Sequence, residues 1–321
     1  MTEYLTADEQ YIKLVENILE NGQWDDVEHV RTVYADGEKA TTLSILNQQL
    51  KFDNGSKLPI LTIKNTPRKD PIIELFWIWQ KMSNSVKLLN DMGCTVWDEW
   101  QDENGTIGRA YGWQLKNKTQ PITVDKVFLE MYLNGEFYEK PSEEDLILGF
   151  DTLWQAFEED EYIIYLNQVD WVLYMLKKNP HSRRIKTTLW NVKDSDEMAL
   201  LPCVYDTHWQ YWDGKLNLTV NIRSNDIALG NPYNVYQYAV LHHLIAQVSG
   251  LPVGELCFNL DNPHIYNRHI KDIKDVIENE PKESPTLWIN PEITSFYDFT
   301  LDDIKVQNYE HCGNYKFEIA I

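Results

Sequence analysis

Two runs of alternating apolar and polar residues flank the dipeptide Asp213–Gly214, and this pattern constrains the fold more than any other in the chain. Asp-Gly between alternating runs predicts a β-hairpin closed by a two-residue turn. Because successive side chains of a strand point to opposite faces, Leu216 and Ile222 face one side and Arg223 the other. The hairpin therefore places Cys203 and Arg223 on adjacent strands. The same rule predicts one shared face before the turn for Cys203, Tyr205, Thr207, Trp209 and Tyr211.

A thiol beside an arginine admits two interpretations. A cationic neighbour stabilises a nucleophilic thiolate, and an arginine can also hold the phosphate of a substrate close to the sulfur. Alternatively, Cys203 is a buried core residue, as most free cysteines are. Taken by itself the pattern favours the core interpretation, so chemistry at Cys203 needs support from elsewhere in the sequence.

The chain has 321 residues, a net charge of −21 and a pI near 4.7. This charge argues against general binding to nucleic acids or anionic membranes. An anionic substrate would need a local cluster of arginines, and the adjacent Arg183 and Arg184 in the segment HSRR are candidates for such a clamp. The other interpretation, two solvated surface arginines, is slightly favoured without further context.

The four cysteines show no CxxC spacing, and no HExxH or other zinc-binding pattern occurs. Zinc and redox motifs are therefore unsupported, and reduced thiols in a cytoplasm fit best. No run is long and apolar enough to span a membrane, and the N-terminus does not resemble a secretory signal. With 43% hydrophobic residues, the chain can form one large domain or two smaller ones.

A second candidate for chemistry is Glu74, which lies among apolar residues near the start of a predicted helix. Asp70 and Pro71 are typical of the N-cap and of the first helical position, so the helix is predicted to begin there. Burying an unpaired carboxylate is costly, so Glu74 is either an edge residue or a catalytic acid with a raised pKa. The pattern does not choose between the two. The apolar run Leu58–Lys64 before this helix predicts a buried strand.

Residues 94–114 are dense in Trp, Tyr and Gly. Such an aromatic stripe more often belongs to a core, but Trp97 and Trp100, followed by a Gly-rich turn and Tyr111, can also wall a flat heterocycle. Further helices are predicted over 8–20, 169–178 and 235–248, and strands over 43–50 and in the tail from 286. Residues 115–170 are predicted to form an inserted, solvated helical subregion with exposed acidic clusters at 143–145 and 158–161.

Several separated motifs occur along the chain: RT at 31–32, ELFW at 74–77, VWDEW at 96–100, YGWQ at 111–114, SRR at 182–184, LLPC at 200–203, RSNDIALGNPYN at 223–234 and HIY at 264–266. Together they resemble the thymidylate synthase family, the folate-dependent type with a cysteine nucleophile. The resemblance covers nearly the whole chain apart from residues 115–170. Val204 follows the cysteine, so the chain resembles the subset of that family that has no histidine at this position.

This resemblance implies an α/β fold, a single domain with a large mixed sheet covered by helices. It implies a homodimer formed face to face through that sheet, with no membrane or DNA partner, in the cytoplasm. The implied reaction is reductive methylation of dUMP to dTMP. Methylenetetrahydrofolate would donate both the one-carbon unit and the hydride, without a metal, and Cys203 would add to C6 of the uracil.

The resemblance also implies roles for individual residues. The implied catalytic residues are Cys203, Glu74, Tyr111, Arg223 and Asp226. The implied dUMP-binding residues are Arg31, Arg183, Arg184, Arg223, Ser224, Asn234, His264 and Tyr266. Of these, Arg183 and Arg184 would reach the phosphate from the partner subunit, and Asn234 would match the donor and acceptor on the uracil edge. The implied folate-binding residues are Val96, Trp97, Trp100, Leu200, Asp226, Leu229, Gly230, Tyr233, Lys64 and Ile321.

The chain departs from the commonest family pattern at Tyr233, where phenylalanine is usual, at Asn65, and at residues 67–71 and 261–263. These changes lie mainly on the folate side. They raise a rival activity, a deoxyuridylate hydroxymethylase, in which water replaces hydride in the last step and the Tyr233 hydroxyl could order that water. A non-catalytic nucleotide-binding protein on the same scaffold is a third possibility, but binding does not need the thiol.

Overall fold

The computed structural model describes residues 4–134 and 161–321. Within them the strands are β1 (Gln23–Trp24), β2 (Thr42–Ser44), β3 (Gln48–Asp53), β4 (Gln120–Asp125), β5 (Glu161–Leu166), β6 (Lys186–Thr188), β7 (Val204–Trp212), β8 (Lys215–Ile222), β9 (Asn225–Asp226), β10 (Val253–Leu260), β11 (Pro263–Tyr266), β12 (Thr286–Ile289) and β13 (Ile304–Gln307). The α-helices are α1 (Ala7–Asn21), α2 (Lys69–Leu75), α3 (Val86–Asp91), α4 (Gly112–Asn117), α5 (Lys126–Leu133), α6 (Gln168–Lys178), α7 (Gly230–Ser249) and α8 (Ile270–Ile277).

The main sheet has the strand order β3-β10-β8-β7-β6 in the described part of the chain. It is mixed, because β10 runs parallel to β8 whereas the other neighbouring strands are antiparallel. A parallel pair needs a crossover connection, and α7 lies in the segment that links β8 to β10. This arrangement confirms the predicted α/β fold with a large mixed sheet and helices.

The predicted hairpin is present as β7 and β8. Asp213 and Gly214 both have positive φ values, 50° and 76°, as a tight two-residue turn between twisted strands requires. The backbone N–H of Arg223 donates to the Cys203 carbonyl at 2.9 Å, so these two residues are neighbours as predicted. The predicted shared face is wrong at its start. The register shifts between Val204 and Asp206, so Val204 is buried and Cys203 and Tyr205 do not continue the face of Thr207 and Trp209.

A second sheet has the order β1-β2-β11-β9 among the described residues. In it Asp226 pairs with His264, which brings the end of the RSND segment beside the HIY segment. The hydrophobic core lies around α7, which is buried along most of its length and contacts α2, α6, β8 and β10. Gly250 ends this helix in the left-handed conformation, with φ 68°, which glycine adopts easily.

Two predicted elements differ from the structure. Residues 58–64 are buried as expected, but they form irregular backbone instead of a strand. The reason is local: Pro59 has no N–H to give to a ladder, and the buried carboxylate of Asp8 accepts the backbone N–H groups of Thr62 and Ile63.

The helix at Asp70 begins earlier than predicted. Helix α2 starts at Lys69, its N-cap is Arg68, and Asp70 lies in the first turn without capping the helix. A π-helical segment, Phe76–Gln80, follows directly after α2, and α3 is separate from it. A π-helical turn is rare and often marks a functional site, and this one begins two residues after Glu74.

The described part of the predicted insertion contains α5 and an antiparallel pair of strands, β4 and β5. The prediction of a wholly helical subregion is therefore wrong for these residues. They bury a small apolar cluster of their own. The acidic cluster at 143–145 lies outside the described residues, as does most of the one at 158–161. The helices predicted at 8–20, 169–178 and 235–248 are confirmed as α1, α6 and α7. None of the described helices is long and apolar enough to cross a bilayer.

Candidate active site

Cys203 lies immediately before β7 and is half-buried. Its segment is held by the guanidinium of Arg223, which donates from Nε to the Pro202 carbonyl at 3.0 Å and from Nη2 to the Leu201 carbonyl at 2.7 Å. Burial raises the pKa of the Cys203 thiol, whereas the nearby Arg223 charge and Tyr111 hydroxyl lower it. Arg223 thus both fixes the backbone before Cys203 and favours the thiolate form of its side chain.

Tyr111 connects this segment to a different part of the chain. Its buried hydroxyl accepts the backbone N–H of Cys203 at 3.1 Å. Tyr111 adopts φ 47°, an unusual conformation for a tyrosine, at the start of α4. The next residue, Gly112, packs its backbone directly against the backbone of Ser83. A Cβ at this position would lie 2.4 Å from the Ser83 carbonyl oxygen, so only glycine fits there. The strained turn therefore sets the position of the hydroxyl next to the thiol.

Glu74 is buried, which excludes the edge-residue interpretation. One carboxylate oxygen accepts the Trp97 indole N–H, and the other accepts the Gln237 side-chain amide at 2.6 Å. Burial raises the pKa of Glu74, and the two donors oppose that rise. A buried carboxyl with a raised pKa and fixed donors is typical of a residue that transfers protons.

Trp97 joins the two candidate catalytic groups. Its ring lies 5.1 Å from the ring of Tyr111 and 5.7 Å from that of Trp100, while its N–H bonds Glu74. A continuous line of contacts thus runs from Cys203 through Tyr111 and Trp97 to Glu74. We refer to these four residues as the nucleophile network.

The second sheet carries a polar group next to this network. The rings of His264 and Tyr266 lie 5.4 Å apart, and Asp226, on the neighbouring strand, accepts the backbone N–H of Ala228 at 2.9 Å. Burial raises the pKa of Tyr266, and the nearby Asp226 and Cys203 add to that rise. A Cβ on Gly230 would face Asp226 at 3.7 Å and the Asn234 side chain at 3.9 Å, so the start of α7 lies at the same place.

The proposed phosphate arginines have a different setting. Arg31 is exposed on the loop after β1, and Arg183 and Arg184 are exposed between α6 and β6. The Arg183 carbonyl bonds the His208 ring at 3.2 Å, which fixes Arg183 beside the middle of β7. Cys203 precedes His208 by five residues, which is roughly 16 Å at the rise of a strand. We call the two segments that carry Arg31 and Arg183–Arg184 the arginine loops.

The C-terminal residue is tied to the first arginine loop. Ile321 and Val33 exchange two backbone hydrogen bonds, at 2.8 and 2.9 Å, two residues from Arg31. Upstream in the tail, Glu318 forms an ion pair with Arg268, and Phe317 lies over the Lys64 ammonium at 5.1 Å. Burial lowers the pKa of Lys64 to about 8, although the nearby Asp226 raises it. Lys64 Nζ donates to the Ala228 carbonyl at 2.7 Å.

Large apolar side chains remain exposed among the predicted folate residues. Val96 is 38% exposed, Leu229 is 36% exposed and Ile321 is 51% exposed. Trp100 and Leu200 are half-buried. Exposed apolar side chains beside a polar group are what a mostly flat, partly apolar ligand would cover.

Comparisons with known proteins decide the family. The profile described as "Thymidylate synthase" matches residues 9–321. The chain belongs to the thymidylate synthase family. It is 45% identical over 315 residues to "Thymidylate synthase 1" of Bacillus subtilis strain 168 and to "Thymidylate synthase" of Bacillus phage phi3T, covering 98% of this chain and 99% of each relative. The solved structure "Thermostable thymidylate synthase A from Bacillus subtilis" superposes with a TM-score of 0.81 at 45% identity, covering 99% of this chain and 100% of that one.

Family membership makes this chain a methyltransferase of the thymidylate synthase type, which uses methylenetetrahydrofolate as its co-substrate. The named relatives are synthases, which supports that function over the hydroxymethylase alternative. The predicted resemblance is therefore confirmed for nearly the whole chain. No group of three or more His, Cys, Asp or Glu side chains that could hold a metal occurs in the described ranges.

Sequence reasoning overlooked Gln237 in this thymidylate synthase-type site. Its side-chain amide is buried and donates both to Glu74 and to the Pro71 carbonyl. The signal was available, because a glutamine within the apolar run of α7 needs a buried partner. Trp190 was also overlooked: its ring lies 5.8 Å from the Arg223 guanidinium.

Proposed function

We propose that Cys203 is the nucleophile with which this chain converts dUMP to dTMP. The observation that carries the proposal is the nucleophile network, in which a thiol and a buried carboxyl from distant parts of the sequence are joined by Tyr111 and Trp97. The thiolate adds to C6 of the uracil and leaves an enolate that makes C5 nucleophilic. Arg223 stabilises the thiolate before the addition.

Glu74 moves protons at C5 of the pyrimidine. Its raised pKa allows the carboxyl to hold a proton at a pH where an exposed glutamate has already lost it. Trp97 and Gln237 hold its two oxygens in place, so the proton is given and taken at a fixed position. Tyr111, which borders both Cys203 and Trp97, assists at the same face.

The nucleotide is recognised by groups around the thiol. Asn234 pairs with the uracil edge, because its carboxamide offers one donor side and one acceptor side. His264 and Tyr266 bind the 3′-hydroxyl of the deoxyribose, and their edge-to-face contact fixes both rings. Ser224 and the arginines Arg223 and Arg31 hold the phosphate.

The folate site fits the exposed apolar side chains described above. Methylenetetrahydrofolate, when bound, supplies the one-carbon unit and the hydride. Asp226 would bind its ring, and Ile321 would close over it and exclude water. The other residues that would line the site are Val96, Trp97, Trp100, Leu200, Leu229, Gly230, Tyr233 and Lys64.

The active unit is a homodimer in which Arg183 and Arg184 of the partner subunit complete the phosphate site. Support comes from the position of Arg183, which lies beside His208 in the middle of β7, away from the thiol of its own chain at the start of that strand. Four separate exposed or half-buried arginines would then converge on one phosphate. This arrangement explains how a chain of net charge −21 binds an anion.

The face of the main sheet that would pair with its copy carries a line of polar contacts across all five strands. Lys186 pairs with Asp206 at 2.6 Å, Asn221 donates to Asp206 at 2.6 Å, Asn259 donates to Asn221 at 2.8 Å, and Gln49 donates to Asn259 at 2.8 Å. Because these groups satisfy one another, the face can be buried against a second copy without leaving them unpaired.

The free thiols of all four cysteines further support a reducing compartment, the cytoplasm.

Product analysis tests the proposed function. The protein is incubated with dUMP and methylenetetrahydrofolate, the nucleotide is resolved by mass spectrometry, and dihydrofolate is followed by absorbance. A methyl product formed in step with dihydrofolate is expected. A hydroxymethyl product without dihydrofolate would contradict it, and so would a dUMP-binding protein that forms no product. Cys203→Ser should abolish turnover and keep dUMP binding, whereas Cys312→Ser, at the half-buried cysteine of the tail, should keep both.

A further inference from the structure

The hydroxyl of Tyr233 is buried and forms no hydrogen bond of standard geometry with any of the described residues. The side chain as a whole is half-buried, so part of its ring borders the cleft while its polar end is enclosed. That polar end faces the Glu74 carboxyl and the Cys94 thiol. A buried hydroxyl without a partner is costly, which is a reason to look for the bond that it forms in the working enzyme.

Helix geometry places Tyr233 next to the known partners of Glu74. Tyr233 and Gln237 are four residues apart on α7 and therefore lie on the same face of the helix. Gln237 donates to one oxygen of Glu74 at 2.6 Å. Tyr233, one turn earlier, lies close to the same carboxyl.

The three neighbours differ in what they can offer. The Trp97 indole N–H and the Gln237 amide N–H can only donate at this position. A tyrosine hydroxyl can donate to the ionised carboxylate, and it can also accept the proton of the neutral acid. Tyr233 is thus suited to a carboxyl that changes its protonation state during turnover.

We propose that Tyr233 is a positioning residue for Glu74, whose hydroxyl donates a hydrogen bond to the ionised carboxylate and favours that form. The proposal rests on the proton-transfer role given to Glu74 above. It assigns the hydroxyl to the proton-transfer group, which differs from a role in ordering water at the exocyclic methylene. The ring of Tyr233 remains free to border the folate site.

The sign of the effect follows from the surroundings of Glu74. Burial raises the pKa of Glu74, the Trp97, Gln237 and Tyr233 donors lower it, and the Asp70 charge raises it. Among the residues that the structure describes, the other titratable groups influenced by this carboxyl are Cys94, Tyr111 and Tyr238. Replacing Tyr233 with phenylalanine removes one of the lowering contacts, so the pKa of Glu74 should rise further.

Infrared titration of the dUMP-bound enzyme measures this directly. The carboxylic acid band that is absent from Glu74→Gln identifies the neutral form of Glu74. In Tyr233→Phe its titration midpoint should move upward by about half a pH unit or more. The matched control is Tyr236→Phe, which removes a buried hydroxyl from the same helix near Arg68 and Tyr309, and should leave the midpoint unchanged. An unchanged midpoint in Tyr233→Phe would overturn the proposal.

Kinetics separate this inference from the proposed role of Glu74. The limb of the kcat–pH profile that disappears in Glu74→Gln should move to higher pH in Tyr233→Phe, while the KM for folate should change by less than about twofold because the ring is kept. A Glu74→Gln enzyme with full turnover would refute the role of Glu74 itself. A large rise in the KM for folate with an unmoved profile would show that Tyr233 serves only the pocket wall.

Discussion

The nucleophile network and the arginine loops are proposed to serve the same nucleotide, but the chain holds them differently. Three of the four residues of the network are buried and Cys203 is half-buried, and contacts within one chain join them. The arginine side chains of the arginine loops are exposed. Covalent chemistry needs atoms held at fixed distances before the substrate arrives, whereas an anion clamp of several like charges is less costly to keep solvated until a phosphate neutralises it.

This difference also teaches where a second subunit is useful. Like charges gathered in one chain would repel one another in the empty site. In the proposed dimer, Arg183 and Arg184 lie across an interface, where the scaffold of another copy holds them in position. The polar contacts across the main sheet provide a face on which such a copy can pack. The nucleophile network needs no such help, since β7, α4, α2 and the Trp97 segment already converge in one chain.

Removing the proton-transfer group should have the largest effect on this comparison. Glu74→Gln keeps the size of the side chain and a partner for Trp97, but it cannot carry a proton. We expect kcat to fall by about 10²- to 10⁴-fold with little change in the Kd for dUMP. Steady-state kinetics and calorimetric titration with dUMP measure the two quantities. Glu99→Gln, at an exposed carboxylate two residues from Trp97, should leave both unchanged. Loss of dUMP binding with kcat retained would contradict this role and would place Glu74 among the dUMP-binding residues.

Mixing inactive variants tests whether the arginine loops act across the interface. Arg183→Ala and Cys203→Ser should each form a weak or inactive homodimer. After subunit exchange, mixed dimers contain one intact site, so activity should recover to about one quarter of the wild-type value in an equal mixture. The control is the double variant, Arg183→Ala with Cys203→Ser in one chain, which should restore nothing to either single variant. Activity that stays at the mean of the two parents would show that Arg183 acts within its own chain.

The sequence predicts the nucleophile network well where local rules apply. The Asp213–Gly214 turn follows from backbone geometry, and it brings Arg223 to Cys203 as expected. Glu74 stands out because a carboxylate within an apolar run needs an explanation. The overall α/β fold follows from the order of strands and helices together with the family motifs.

Other features depend on contacts between distant residues, which periodicity cannot show. The register shift between Val204 and Asp206 changes the predicted faces of β7. Residues 58–64 do not form a strand, because the carboxylate of Asp8 in α1 accepts the backbone N–H groups of Thr62 and Ile63. The bond from Gln237 to Glu74 likewise joins residues 163 positions apart. These are tertiary effects that override local propensity.

Removing the Tyr111 hydroxyl from the nucleophile network should have a smaller effect on catalysis. Tyr111→Phe removes the acceptor of the Cys203 N–H and a contact that lowers the pKa of the thiol. The pKa of Cys203 should therefore rise, and kcat/KM should fall by about tenfold near neutral pH. The rate of thiol alkylation against pH reports the shift, with Tyr211→Phe, near the turn of the hairpin, as control. An alkylation profile that does not move would limit Tyr111 to a structural role.

The smallest expected effect concerns Asp194, which connects two segments that carry residues of the nucleophile network. Asp194, 4% exposed, accepts from Gln114 at 3.0 Å and pairs with Lys118 at 2.9 Å and Arg109 at 3.1 Å. These contacts, with Gln114 the foremost, lower the pKa of Asp194 to about 2. They fasten the segment that leads to Cys203 onto the segment that carries Tyr111.

A carboxyl whose pKa is lowered on folding stabilises the fold above its unfolded pKa, about 3.9, and loses that contribution as the pH falls toward about 2. Asp194→Asn should therefore lower the free energy of unfolding most above about pH 5, and the difference from wild type should shrink between about pH 4 and 2. Urea titrations at a series of pH values measure it. Asp91→Asn removes an exposed ion pair with Lys87 and should change stability by less than about 1 kcal/mol. If the Asp194→Asn difference stayed constant down to pH 2, packing and not charge would join the two segments of the network.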